Sequence, residues 1–208
     1  NSLFEKIENS IQHSDIDYVI IKGGHEFCHS NITIKDFIEK KHQFYKSLQF
    51  HDSYHIPPKT EYVAVHYRDF IEKYDQADNA KFVEDSPLSE FYKVIIEKVE
   101  QRLPILICSN NPKIEQQFIQ NLPSCNIIHN IYNQYYDRND PKAMQQSIQQ
   151  FMILTQAKFI IGTYHSSFSD EASFVKLIPK YMPLNPNTIQ QKISKQYHCH
   201  NIQYTDKI

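Results

Sequence analysis

Between Tyr62 and Leu177 the chain alternates between two kinds of segment, and this alternation constrains the fold more than any other feature. Short apolar or β-branched runs occur at Tyr62–His66 (YVAVH), Pro104–Cys108 (PILIC), Asn126–His129 and Lys158–Ile161 (KFII). Each is too short for a stable helix and lacks the polar alternation of a half-exposed strand, so each reads as a strand buried on both faces. Longer stretches with helical spacing separate them. Ser86-Pro87 opens one that carries Leu88, Phe91, Tyr92, Ile95, Ile96 and Val99. Pro112 precedes a second, through Ile114, Phe118 and Leu122, and Pro141 starts a third, through Met144, Ile148, Phe151, Met152 and Leu154. A fourth runs from Ser167 to Leu177. Strand followed by helix, repeated in this way, predicts an α/β fold: a Rossmann-like parallel sheet with flanking helices.

Ahead of this unit, Asp17–Lys22 (DYVIIK) reads as a strand running into Gly23-Gly24, and Thr33 to Phe50 as a helix capped by Thr33. Pro57-Pro58 marks a linker. Residues 183–208 are polar, with Thr188–Tyr197 a candidate terminal helix. The expected division is an amino-terminal remnant with a linking helix over 1–58, a Rossmann-like domain over 59–182, and a tail over 183–208.

Composition narrows the partners. A net charge of −2, with acidic and basic residues interspersed, gives no basic stripe for nucleic acid. No run approaches the ~20 apolar residues that span a membrane, and Asn1–Ser10 lacks the apolar core of a signal peptide. A cytoplasmic protein is the default expectation. The chain begins at Asn1 rather than Met, which leaves a piece of a longer protein as the alternative. Cys28, Cys108, Cys125 and Cys199 form no CxxC pair, and the adjacent His198-Cys199-His200 is poorly spaced to aim at one ion, so no metal site is expected. Cys108 and Cys125 read as buried thiols.

Ligands of parallel α/β sheets sit at the carboxyl ends of the strands, and three of these ends carry chemistry. After Tyr62–Val65 comes His66-Tyr67-Arg68-Asp69, where alternation puts His66 and Arg68 on one face. An arginine fork at a strand mouth suits a diphosphate; the alternative is a surface pairing of Arg68 with Asp69, Asp75 or Asp78. After KFII comes Gly162-Thr163-Tyr164-His165-Ser166-Ser167-Phe168-Ser169. Four hydroxyls and a glycine ahead of a helix exceed what one N-cap requires, and favour a phosphate cradle. After PILIC comes Ser109-Asn110-Asn111-Pro112, whose amides could read a base edge or simply turn the chain and cap the next helix. The chain contains no Walker loop, GxGxxG, HExxH or GxSxG, which argues against kinase-like, metallohydrolase and α/β-hydrolase chemistry.

VAVHYRD, PILICSNNP and FIIGTYHSSFSDEA, in this order, resemble the motifs of the fucosyltransferase superfamily. Its members include α1,6-fucosyltransferases, nodulation fucosyltransferases and protein O-fucosyltransferases. The resemblance covers Tyr62 to Lys180 and implies the carboxyl-terminal, donor-binding domain of a GT-B glycosyltransferase. The activity it implies is inverting and metal-independent, with GDP-fucose or another nucleotide sugar as donor, a glycan or protein as acceptor, and no cofactor. By position, Arg68 would bind the diphosphate and stabilise the departing GDP. His66 would support it, Gly162, Thr163, Ser166, Ser167 and Phe168 would cradle the phosphates, and Asn110 and Asn111 would contact the nucleoside. The motif departs from the family where Ile71 replaces an acidic residue, and Asp69 or Asp75 would have to serve instead. A GT-B enzyme also needs an amino-terminal acceptor domain, which about 60 residues cannot supply. The alternative from another class is a non-catalytic module that holds a nucleotide sugar or a partner without turnover.

Overall fold

The computed structural model describes residues 33–47, 60–69, 83–134, 140–164, 166–187 and 202–204. Its strands are β1 (Val63–Tyr67), β2 (Ile105–Ser109), β3 (Ile127–Ile128), β4 (Ile160–Gly162), β5 (Lys180–Met182) and β6 (Ile202–Tyr204). The helices are α1 (Ile34–Ser47), α2 (Leu88–Lys98), α3 (Pro112–Asn121), α4 (Pro141–Leu154) and α5 (Ser167–Lys176). The strands form one sheet in the order β3-β2-β1-β4-β5-β6, every neighbouring pair parallel. This is the strand order of a Rossmann fold, in which the direction of winding reverses between the first and fourth strands. The chain is therefore an α/β protein with a Rossmann-like parallel sheet, as its strand and helix pattern predicts.

Alternation along β1 builds the two faces of the core. Val63, Val65 and Tyr67 join Phe91 and Ile95 of α2 and Ile114 and Phe118 of α3 on one side. Ala64 points the other way, with Leu106 and Cys108 of β2, towards Leu154 of α4 and Ala172 of α5. All five residues of β1 are buried, as a central strand covered on both faces requires. Each large side chain removed from water in this way contributes roughly 1.5–3 kcal/mol. Helix starts follow local chemistry: Pro occupies the first turn of α3 and α4, and the side chains of Asn111 and Asp140 cap them. Helix α5 ends on Leu177 in the left-handed region (φ 54°), with the Leu177 N–H bonded to Ser173 O.

Two strands escaped the sequence pattern. β5 contains Lys180 inside an otherwise apolar run, and β6 lies within what reads as a polar tail. The Asp17–Lys22 strand and the Thr188–Tyr197 helix lie outside the described residues. Thr33 does cap α1: its hydroxyl accepts from Asp36 N at 3.1 Å. α1 docks on α5 through a Lys41–Glu171 ion pair (2.6 Å) and a contact of His42 Nδ1 with Phe174 O (3.0 Å). Among the described residues no helix is long and apolar enough to cross a membrane.

Candidate functional site at the sheet switch point

The reversal between β1 and β4 brings the first and third sequence motifs together. His66 pairs with Gly162 across the ladder. Beyond it, Thr163 continues the contact: its N–H donates to His66 O (2.9 Å), and its hydroxyl donates to the same oxygen (3.1 Å). That hydroxyl also accepts from Arg68 N at 2.9 Å. Thr163 thus acts as a latch that fixes the backbone of Arg68, and its side chain faces the neighbouring strand rather than an open cradle.

His66 is buried at 5% exposure, with its ring against Phe168 (centroids 5.2 Å apart). Burial holds its pKa down to about 3, and the charges of Lys180 and Arg68 push the same way, so the ring is neutral. A neutral imidazole has one accepting nitrogen, and Ser166 Oγ lies 3.5 Å from Nδ1. Ser166 occupies the N-cap of α5, yet its side chain makes no capping bond. The hydroxyl of an ordinary cap would turn onto the helix; this one turns toward His66. Among the described residues no side chain caps the first-turn N–H groups of α5, and Ser167 stands exposed beside them. Phe168 packs between His66 and Phe151 and belongs to the wall behind the turn.

Gly162 has a steric reason that the sequence did not disclose. A Cβ there would lie 2.6 Å from Lys180 Cε and 2.8 Å from Ser169 Oγ. The glycine makes room for a fully buried lysine whose Nζ is ion-paired with Asp170 in the first turn of α5. Sequence reading missed Lys180. Its one signal was a lone lysine in the apolar stretch Leu177–Leu184.

Asn110 and Asn111 stand at the same edge, but their amides serve the protein itself. Asn110 Oδ1 accepts from Asp69 N (2.9 Å) and its Nδ2 donates to Asp69 O (2.7 Å). Asn111 Nδ2 donates to Asp69 Oδ2 (2.5 Å), and its Oδ1 caps α3 through Lys113 N (3.0 Å). Here the turn-and-cap alternative describes the geometry, and Asp69 is held as a bridge between the β1 and β2 ends. Arg68 is half-buried next to this bridge.

A second polar cluster, not anticipated from sequence, lies at the β2–β3 end. Glu115 of α3 is buried, and its carboxylate takes His129 Nδ1 (2.5 Å), Asn130 N (3.0 Å) and Asn133 Nδ2 (2.6 Å). Asn130 and Asn133 also donate to Ile107 O, and Gln150 Nε2 donates to Ser109 O (3.1 Å). A shallow depression lined by Ile96, Val99, Ser124 and Cys125 lies at the opposite, amino end of the strands. Glu100, Gln101 and Asn126 also line it, and no residue of the Glu115 cluster does.

Among the described residues no three His, Cys, Asp or Glu side chains group to hold a metal ion. Cys108 is buried and Cys125 partly so, and burial raises both thiols. His165 and His198-Cys199-His200 lie outside the described residues. In comparisons with known proteins, no family model and no curated sequence matches the chain.

Proposed function

We propose that this chain is the donor-binding, carboxyl-terminal domain of a GT-B glycosyltransferase of the fucosyltransferase type. It binds a nucleoside-diphosphate sugar such as GDP-fucose and supports sugar transfer to a glycan or protein acceptor. One observation carries this reading: at the switch point of a Rossmann sheet, the Arg68 backbone is bonded to Thr163, three residues before the N-cap of α5, whose own side chain makes no capping bond. An arginine fork and a helix amino end both favour a diphosphate, and this is the crevice where such folds take nucleotides.

In the reaction, the bond between the sugar's anomeric carbon and the diphosphate oxygen breaks, its electron pair going to that oxygen. A new bond forms to the acceptor hydroxyl, whose proton leaves to a base. Negative charge grows on the diphosphate, where Arg68 and the α5 amides supply preorganised positive potential. Thr163 holds Arg68 in register. His66, neutral and buried, adds no charge of its own; it holds Ser166 Oγ away from the capping position.

The test is a calorimetric titration with GDP, GDP-fucose, GDP-mannose and UDP-glucose, using Arg68→Ala as control. Guanine ligands should bind, and the variant should lose roughly ten- to a hundredfold in affinity, as expected for charged hydrogen bonds. If no nucleotide binds, the enzyme reading fails for this chain. Binding with no hydrolysis of the donor and no transfer to any acceptor tested would favour the non-catalytic module.

A further inference from the structure

We propose that Lys180 is an electrostatic support for the diphosphate site, cancelling the negative charge that Asp170 places in the first turn of α5. This inference rests on the reading of that helix start as the diphosphate subsite.

Asp170 is the fourth residue of α5. A carboxylate there stabilises the helix by facing its positive end. The same carboxylate repels any anion that approaches the first-turn amides. Lys180 answers that charge from behind. It opens β5, its side chain is 0% exposed, and it passes over the bare backbone of Gly162 to pair with Asp170. The side chain of Asp170, by contrast, is partly exposed at 28%. The cation is thus hidden in the core while its partner reaches the surface near the helix start.

Stability alone explains this poorly. Burying an ammonium is costly, and a buried ion pair is often no better than an apolar pair of similar volume. A charge fixed under the turn, by contrast, acts on whatever anion binds above it, because the surrounding core screens it weakly. Burial is the main reason that His66 is neutral, and the nearby Lys180 charge also disfavours protonation of that ring. Lys180 touches no ligand in this scheme. It is a positioning residue that acts through its field.

The two members of the pair should therefore affect binding with opposite signs. Lys180→Met should weaken binding of inorganic pyrophosphate and of GDP by roughly three- to tenfold, the effect of one charge at this range. Asp170→Asn keeps the hydrogen bond to the ammonium but removes the negative charge, and should tighten both by a similar factor. The double variant should return close to the parent. Thermal unfolding of each variant reports its fold. A structural role predicts that both single variants weaken binding together, and that result would overturn the inference. If Lys180→Met does not fold, Asp170→Asn decides alone: tighter binding supports the proposal, equal or weaker binding sinks it. Loss of GDP binding in Arg68→Ala alongside same-sign pair variants would leave the nucleotide reading standing and this inference fallen. If the parent binds neither pyrophosphate nor GDP, both fall.

Discussion

At the β2–β3 end of the sheet, Glu115 gathers His129, Asn130 and Asn133 into a network that also satisfies Ile107 O. At the neighbouring β1–β4 end the residue types are similar, but the bonds are organised differently. There the backbone is latched by Thr163, while among the described residues no side chain caps the first turn of α5, and Ser167 remains exposed. A buried group whose bonding capacity is filled by its own chain rigidifies a fold. A helix start without its cap can take an outside acceptor. What distinguishes the two regions is the destination of each polar atom, and that contrast supports the proposed site at the β1–β4 end.

Substitutions can separate the two regions, and the largest effect should come from the closed network. Glu115→Ala removes the acceptor for three donors and should cost about 3 kcal/mol of stability, read by chemical denaturation. GDP affinity of the molecules that remain folded should not change. A fall in affinity would mean that the two regions are coupled and the contrast is wrong.

The next largest effect concerns pH. His66 in the folded state is held to about 3, below its ordinary 6.5, so the unfolded chain binds the extra proton between these limits. Stability from keeping the ring neutral is therefore full above pH 6.5 and is lost as pH falls toward 3. The slope should approach 1.4 kcal/mol per pH unit, or about 2–3 kcal/mol over two units. His66→Asn retains an acceptor but does not titrate, and denaturation curves across that range should lose this component.

Gly162→Ala should cost about 2 kcal/mol, because the new methyl must displace Lys180 Cε and Ser169 Oγ. Its thermal midpoint should drop. Combining it with Lys180→Met should recover part of the loss, since the obstructing side chain is changed. The smallest stability effect belongs to Ser166→Ala, at less than about 0.5 kcal/mol. Removing a working serine cap usually costs about 1 kcal/mol, but this hydroxyl does not cap. Its pyrophosphate affinity should stay close to that of the parent, because the hydroxyl faces His66 rather than the first-turn amides. A full capping loss in denaturation would show that the hydroxyl holds the helix after all.

β1, β2 and β4 were legible because they are buried on both faces and written as continuous apolar runs, whereas β3, read in the same way, is an edge strand with Ile128 exposed. β5 was not legible, because Lys180 interrupts its pattern and Pro179 precedes a strand of only three residues. Of the candidate site, the placement of Arg68 after β1 and of the serine turn after β4 was legible in the strand pattern, and the ladder sets those two strands side by side. The engagement of Asn110 and Asn111 by Asp69 did not, since it depends on two loop ends meeting across the sheet. The Glu115 network is drawn from α3, the segment after β3 and α4, and no local spacing announces it. Lys180 was hidden for a related reason: its partner Asp170 is on another element, and the glycine that admits it read as a phosphate residue.

The latch between Thr163 and His66 joins residues 97 positions apart. Closing so long a loop is entropically slow, whereas β1 and β2 are nearer in sequence and can zip first. During synthesis, β1, β2 and α3 emerge well before β4 exists, and the crevice has only one wall until then. The corner proposed to take the diphosphate is accordingly among the last parts to assemble. A ligand of the proposed site would therefore bind only chains in which β4 has already docked on β1.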